Sequence, residues 1–276
     1  MTIKELLEFG IKELNNYDIK DSRLKAKILL AFYLDVKKEF LISHDDMEVD
    51  ENVKYNFING IEKLKKNFPI QYITNYQEFM KLKFYVDENV LIPRDDTEIL
   101  VQEVLDKSNS KDKILDLCTG SGAIGVSIKK YKSDAKVYAS DISLNALNVA
   151  KKNAEINNVD IIFLNSNLFE NIKEYNFDII VSNPPYISKK EMAELELQVK
   201  KEPEIALYGG IDGLDFYKKI ISEAKKYLKI NGFLMVEIGY NQKENVEKIF
   251  HDNGYSNVVS KKDLYGNDRI VIGCYR

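Results

Sequence analysis

Hydrophobic positions along this chain change their spacing twice. At the start, Ile3, Leu6, Leu7, Ile11 and Leu14 recur at helical intervals, the pattern of a helix that buries one face. Thr2-Ile3-Lys4-Glu5 opens that stretch as a capping box, in which hydroxyl and carboxylate each satisfy an orphan backbone N–H. A second stripe, Leu24, Ile28, Leu29, Phe32 and Tyr33, follows Asp21 and Ser22, either of which can cap it. A third, Val53, Phe57, Ile58, Ile61 and Leu64, stops near Pro69. Residues 1–68 therefore read as a small helical bundle whose stripes pack together as its own core.

From Pro69 to Pro93 the pattern turns extended and aromatic. Ile70–Ile73, Leu82–Val86 and Val90–Ile92 are strand candidates in a linker over 69–93, read as extended segments with a β-hairpin. Beyond it, helical stretches such as Leu144–Asn157 and Leu214–Leu228 alternate with short apolar runs. Those runs are Lys113–Cys118, Lys136–Asp141, Ile161–Ser166, Phe177–Asn183, Gly232–Gly239 and Arg269–Tyr275. The alternation predicts βαβ units and a mostly parallel sheet over residues 94–276. Asn257–Leu264 and Arg269–Tyr275 flank Tyr265-Gly266-Asn267-Asp268, so the sheet is expected to finish in an antiparallel hairpin strand.

Composition narrows the chemistry. The chain has 276 residues, 45% hydrophobic and 30% charged, an ordinary globular balance with room for about two domains. Two cysteines, Cys118 and Cys274, build neither a disulfide framework nor a thiolate cage, and no metal site is expected. Two histidines, His44 and His251, stand apart without ligand spacing, which disfavours zinc chemistry and Ser-His-Asp hydrolysis. The charged, amphipathic start is not a signal peptide and no apolar run is long enough to span a membrane, so a cytoplasmic protein is expected. A formal charge of −4 argues against gripping nucleic acid by net positive charge. Residues 1–85 are neutral, with 14 Lys/Arg against 14 Asp/Glu.

Two stretches carry candidate chemistry. In Ile114–Ala123 a strand runs into the turn Cys118-Thr119-Gly120-Ser121-Gly122 and then a helix. Glycines there let backbone approach a ligand, and the helix start offers N–H groups, although a tight βα connection needs glycines for packing anyway. The next strand ends at Asp141, 19 residues beyond Gly122, where a doubly wound fold presents a carboxylate to ribose hydroxyls. Together they favour an adenosine-containing ligand. No Gly-Lys-Ser/Thr follows, so a triphosphatase cradle is missing. Asp116 can bond the ligand's ammonium or hold the turn, and the sequence does not separate these.

The second stretch is Phe177–Tyr186, a buried strand ending in Asn183-Pro184-Pro185-Tyr186 at the carboxyl edge of the sheet. Consecutive prolines make a rigid corner with outward carbonyls. The Asn183 side-chain oxygen beside the Pro184 carbonyl offers two acceptors, which suits a planar –NH₂ group. Tyr186 offers a flat face against an amide or base.

Asn-Pro-Pro-Tyr after an Asp-Leu-x-Thr-Gly-Ser-Gly turn resembles the S-adenosylmethionine-dependent methyltransferases of planar nitrogens. More closely, the chain resembles the protein-(glutamine-N5) methyltransferases that act on peptide chain release factors. The supporting segments are Pro69–Ile73, Val90–Glu98, Glu202–Leu207, Gly209–Leu214, Val236–Gly239 and Asp263–Arg269. The resemblance implies a Rossmann-like class I methyltransferase domain over 94–276, with residues 1–68 recognising the substrate. It implies methyl transfer from S-adenosyl-L-methionine to the glutamine N5 of a Gly-Gly-Gln motif, releasing S-adenosyl-L-homocysteine. Asn183 and Pro184 would accept the amide hydrogens, Tyr186 would pack on the amide plane, and Pro185 would shape the substrate site. Cys118, Thr119, Gly120, Ser121, Gly122, Asp141, Asn167, Leu168 and Asn183 would hold the cofactor. Asn167 would bond the adenine amino group where the family commonly has an acid, and Leu168 would pack on adenine. Cys118 stands where the family usually has Gly, and Asp95 where the family has Pro. A release factor is the implied partner, with no membrane, no nucleic-acid substrate and a monomeric enzyme. The competing readings are a DNA adenine N6-methyltransferase, a glutamine methyltransferase of a ribosomal protein, and a binding module without catalysis.

Overall fold

A computed structural model describes residues 1–276. The chain forms two compact units, one of residues 1–75 with 196–201, the other of 76–195 with 202–276.

The first unit is helical: α1 (Ile3–Asn15), α2 (Ser22–Leu34), a single turn α3 (Phe40–Ser43), α4 (Glu51–Lys65) and α5 (Ile70–Thr74). The capping box is present, with Glu5 N donating to Thr2 Oγ1 at 3.3 Å and Thr2 N to Glu5 Oε2 at 3.0 Å. At α2 the expected cap is absent. Asp21 is left-handed with no side-chain cap, and Ser22 Oγ donates backward to Asn15 Oδ1 at 2.6 Å. Leu6, Leu14, Leu29, Phe57, Ile61 and Leu64 are fully buried among the helices, as their spacing predicts, whereas Leu24 and Phe32 of the expected second stripe are exposed and Leu30 is buried instead. Truncating Phe57 to Ala in such a core costs about 3–5 kcal/mol.

Two stretches in the expected linker depart from expectation. Ile70–Thr74 is a helix rather than a strand, because Pro69 (φ −60°, ψ 133°) sets its N-cap and Tyr72 and Ile73 are buried together. Val90–Ile92 forms no strand. Its alternating burial imitates a strand, while Val90 and Leu91 line a cavity.

The second unit opens with a hairpin of β1 (Gln77–Phe79) and β2 (Leu82–Phe84). There follow α6 (Glu98–Lys107), β3 (Lys113–Leu117), α7 (Ala123–Tyr131), β4 (Lys136–Asp141), α8 (Leu144–Ile156), β5 (Ile162–Asn165) and β6 (Phe177–Ser182). Then come α9 (Lys189–Glu194), α10 (Asp215–Ala224), β7 (Leu228–Glu237), α11 (Lys243–Asp252), β8 (Ser256–Lys262) and β9 (Asp268–Cys274). Seven strands make one sheet in the order β5-β4-β3-β6-β7-β9-β8. β5, β4, β3, β6 and β7 run parallel, whereas β9 is antiparallel to both β7 and β8. The predicted parallel sheet with a terminal antiparallel hairpin strand is therefore the observed one.

Both faces are covered, so the central strands read as continuous apolar runs. Ile114, Ile179, Val181, Met235 and Ile270 pack toward α6 and α7 with Leu100, Val104, Ile124 and Ile128. Leu115, Leu117, Ile180, Leu234, Val236 and Val271 pack the other way with Tyr217, Ile220, Val246 and Phe250 of α10 and α11. No helix is long and apolar enough to cross a membrane.

Candidate active site

A cavity lies along the carboxyl ends of the parallel strands. The turn after β3, the end of β4, the segment after β5 and the Asn-Pro-Pro corner after β6 all reach it, together with Asn89–Leu91, Pro93, Arg94 and Thr97. The strand order reverses at β3, with β4 on one side and β6 on the other, and this edge is the place where open α/β sheets bind ligands.

The turn is held from beneath. Asp116, fully buried, accepts from Thr119 Oγ1 at 2.5 Å and Gly125 N at 2.9 Å. The question left open by the sequence is thus answered on one side, since its Oδ2 braces the turn while Oδ1 is buried without a partner. Burial pushes the carboxyl up to about 7 against the hydrogen bonds from Thr119 and Gly125. Gly122 caps α7 at φ +81°, with Ala150 Cβ 3.0 Å from where a side chain would begin, so glycine is required by both conformation and space.

Cys118 also adopts a left-handed conformation (φ 62°), one that glycine takes without the steric cost of a Cβ. Cys118 lines the cavity, and burial pushes its thiol pKa far up, with Asp141 adding to the rise. Gly120 and Thr119 follow it along the cavity wall. Gly120 N donates to Asp141 Oδ2 at 2.8 Å while Ser143 N donates to Asp141 Oδ1 at 2.9 Å. Burial raises Asp141 as well, opposed by these backbone donors. Each of its oxygens keeps a second lone pair for a ligand hydroxyl.

Leu168 is a second left-handed residue on the cavity (φ 49°), fixed by Ser166 Oγ donating to Leu168 O at 2.7 Å. Asn167 is exposed at the rim and gives its Nδ2 to Glu170 at 2.8 Å, so its Oδ1 stays available as an acceptor.

At the far end, Asn183 is half-buried and its Nδ2 donates to Thr97 Oγ1 at 3.3 Å. Its Oδ1 is the remaining polar atom of that side chain. Pro185 borders the cavity with it. Pro184 is buried, and Tyr186 is half-buried against the α10–α11 side of the core rather than on the cavity wall. Of the expected site residues, Cys118, Thr119, Gly120, Ser121, Asp141, Asn167, Leu168, Asn183 and Pro185 surround one cavity. Gly122, Pro184 and Tyr186 stand one layer behind it.

That layer holds Gln242, which the sequence did not single out, and residues of the matching segments to which it gave no role. Gln242 is a buried hub: its Nε2 donates to Tyr186 O at 2.9 Å and Gly213 O at 3.3 Å, and its Oε1 accepts from Gly239 N at 2.9 Å. Gly213 (φ +75°) packs so closely that a Cβ there would collide with the Tyr186 carbonyl oxygen. Glu202, buried at the other side, accepts from Ile92 N at 3.0 Å and pairs with Arg94. Arg269, mostly buried, pairs with Asp96 at 3.1 Å and Asp263 at 2.9 Å. Burial would raise Asp263, but Arg269, Asn267 and the Tyr265 N–H outweigh it and hold the carboxyl at about 2. The strands that deliver these groups are far apart in sequence, and only a charged residue inside an otherwise apolar run, as at Glu237, marks them.

Two family models match this chain, that of the methyltransferase small domain over residues 94–200 and that of the PrmC N-terminal domain over residues 5–74. Among curated proteins, the release factor glutamine methyltransferase of Clostridium acetobutylicum is 43% identical over 270 residues, 95% of this chain and 93% of that protein. The release factor glutamine methyltransferase of Clostridium botulinum is 38% identical over 278 residues, 98% of each chain. Among solved structures, a methyltransferase from Pyrococcus furiosus superposes with a TM-score of 0.55 at 18% identity, over 82% of this chain and 98% of that one, a likeness of fold.

Proposed function

We propose, for a chain that belongs to the release factor glutamine methyltransferase family, a reading of its site residue by residue. The enzyme transfers a methyl group from S-adenosylmethionine to the side-chain amide nitrogen of a release-factor glutamine, the one in the Gly-Gly-Gln motif. The cofactor supplies an electrophilic methyl on a sulfonium. The chain's own residues have to hold and aim the two partners.

Asp141 is assigned to the ribose hydroxyls, the Cys118–Gly122 turn to the amino-acid end, and Asn167 with Leu168 to the adenine. The cavity along the turn, Asp141 and Asn167 fits such a donor set: two carboxylate lone pairs beside an apolar wall and a free amide oxygen. The glutamine nitrogen is a poor nucleophile because its lone pair is delocalised into the carbonyl. Asn183 Oδ1 and the Pro184 carbonyl accept its two hydrogens, fix its direction, and favour the pyramidal, more positive nitrogen of the transition state. Tyr186, pinned through its carbonyl by Gln242, backs the corner from the α10–α11 side of the core. The proton leaves to water after transfer, so no histidine base is needed.

The observation that carries this reading is the Asn183 side chain, whose nitrogen is committed to Thr97 and whose oxygen is left to accept. The helical unit, 1–75 with 196–201, is assigned to substrate recognition, and the enzyme to a monomer acting in the cytoplasm. Incubation with methyl-labelled cofactor and, separately, release factor, ribosomal protein or duplex DNA tests the reading. Label on the Gly-Gly-Gln glutamine is expected; label on adenine or on a ribosomal glutamine alone would replace it.

A further inference from the structure

β6 and β7 are parallel neighbours with Ser182 opposite Val236. The next residue of each strand, Asn183 and Glu237, therefore emerges on the same face, the one covered by α6. Glu237 is 2% exposed. Thr97, which immediately precedes α6, and Asn183 both stand beside its carboxylate, and Oε2 has no partner. With Asn183 Nδ2 on Thr97 Oγ1 at 3.3 Å, Glu237 stands behind two bonded side chains that themselves line the cavity.

Glu237 has no ion-pair partner of its own. Arg269 is delivered next to it, since Ile238 N donates to Arg269 O at 2.8 Å, but the guanidinium is committed to Asp96 and Asp263. A buried carboxylate in this state is a burden on the fold, and an apolar side chain of similar size would pack there at least as stably. What an apolar side chain would not do is choose between the two orientations of Asn183. An asparagine amide has nearly the same shape when flipped, but only one orientation turns an acceptor outward. Flipped, Asn183 would point N–H groups at the N–H groups of the substrate amide.

We propose that Glu237 is a positioning residue: its carboxylate draws the Asn183 amide nitrogen inward, beside Thr97, and so turns Asn183 Oδ1 toward the nitrogen that receives the methyl group. The inference rests on the proposed function, in which Asn183 touches the substrate and Glu237 does not.

The test uses the full chain and release factor, with kcat, KM, cofactor affinity by calorimetry and Tm measured for wild type, Glu237→Leu, Glu237→Gln and Thr97→Val. Loss of one hydrogen bond to a charged group corresponds to about 10- to 100-fold. Glu237→Leu is expected to lower kcat by about that factor, with KM and cofactor affinity within about twofold and Tm unchanged or higher. A more stable but slower enzyme is an outcome that a merely structural glutamate does not give. Glu237→Gln keeps an acceptor and should recover kcat to within about threefold of wild type. Thr97→Val should slow turnover several-fold without moving KM, and it decides the matter should the leucine variant not fold. The inference is overturned if Glu237→Leu keeps wild-type kcat, if its loss is shared by cofactor binding and Tm, if glutamine rescues no better than leucine, or if Thr97→Val turns over normally. A wild-type protein that leaves the release factor unlabelled overturns the function itself, an outcome distinct from all of these.

Discussion

Replacing Asp116 by Asn removes a charge from beneath the cofactor turn and isolates the energetic cost of holding it there. Asp116 is fully buried, and burial raises its carboxyl from 3.8 to about 7 even though Thr119 and Gly125 donate to it. In the unfolded chain the same group ionises near its ordinary value. Between about pH 4 and pH 7 the folded protein therefore holds a proton that the unfolded chain has released, and folding stability falls as pH rises through that window. A shift of about three units corresponds to about 4 kcal/mol, an upper figure for the loss between pH 4 and pH 8. The substituted amide would keep a carbonyl acceptor for Thr119 and Gly125 and carry no titrating proton. Urea unfolding of wild type and Asp116→Asn at pH 4.5, 6 and 8 reads the difference directly, because other groups titrate equally in both. Wild type should lose about 2–4 kcal/mol more than the variant across the series. Parallel stability profiles would refute the argument, showing that Asp116 is ionised in the folded protein throughout.

Three further outcomes follow from the site. Asn183→Ala should abolish methyl transfer while leaving calorimetric cofactor affinity within a few-fold, and an equal loss of both would remove Asn183 from substrate contact. Asp141→Ala should weaken cofactor binding first, by about 10-fold or more if two hydroxyl hydrogen bonds to a carboxylate are lost, and unchanged affinity would take Asp141 out of the ribose site. The Cys118 thiol, raised by burial, should react with iodoacetamide at pH 8 at least about 10-fold more slowly than free cysteine, and more slowly again with S-adenosylhomocysteine present. Labelling at the free-cysteine rate, followed by peptide mapping, would contradict that environment.

Much of this architecture could be read from local signals. The capping box at Thr2, the alternation of helices with apolar strands, the hairpin around Gly266 and the placement of Asn183 at the end of β6 all rest on residues close together in sequence. What local signals missed has physical reasons. Ile70–Thr74 looked extended because its composition is β-branched and aromatic, yet Pro69 supplies a ready helix start. Gln77–Phe79 pairs as a strand although two of its three residues are polar, because the hairpin partner Leu82–Phe84 fixes it. The turn of the site was legible at Gly120, Gly122 and Asp141, whose spacing is set by one βαβ unit. Gln242 was not, and Thr97, Arg269 and Glu237, although inside matching segments, showed no role, because strand register and loop packing, rather than any spacing along the chain, bring them together around Asn183.

β9 lies between β7 and β8, antiparallel to both, and carries Arg269 into the charge cluster with Asp96. A polypeptide still being synthesised can stack β3 through β7 in advance, but β8 has nothing to pair with until the strand that follows it arrives. Arg269 then reaches back to a residue made near the beginning of the same unit. Assembly of the catalytic corner is in this way tied to the last step of the sheet, and a nascent chain cut short before that step leaves an open strand edge along with an unfinished corner.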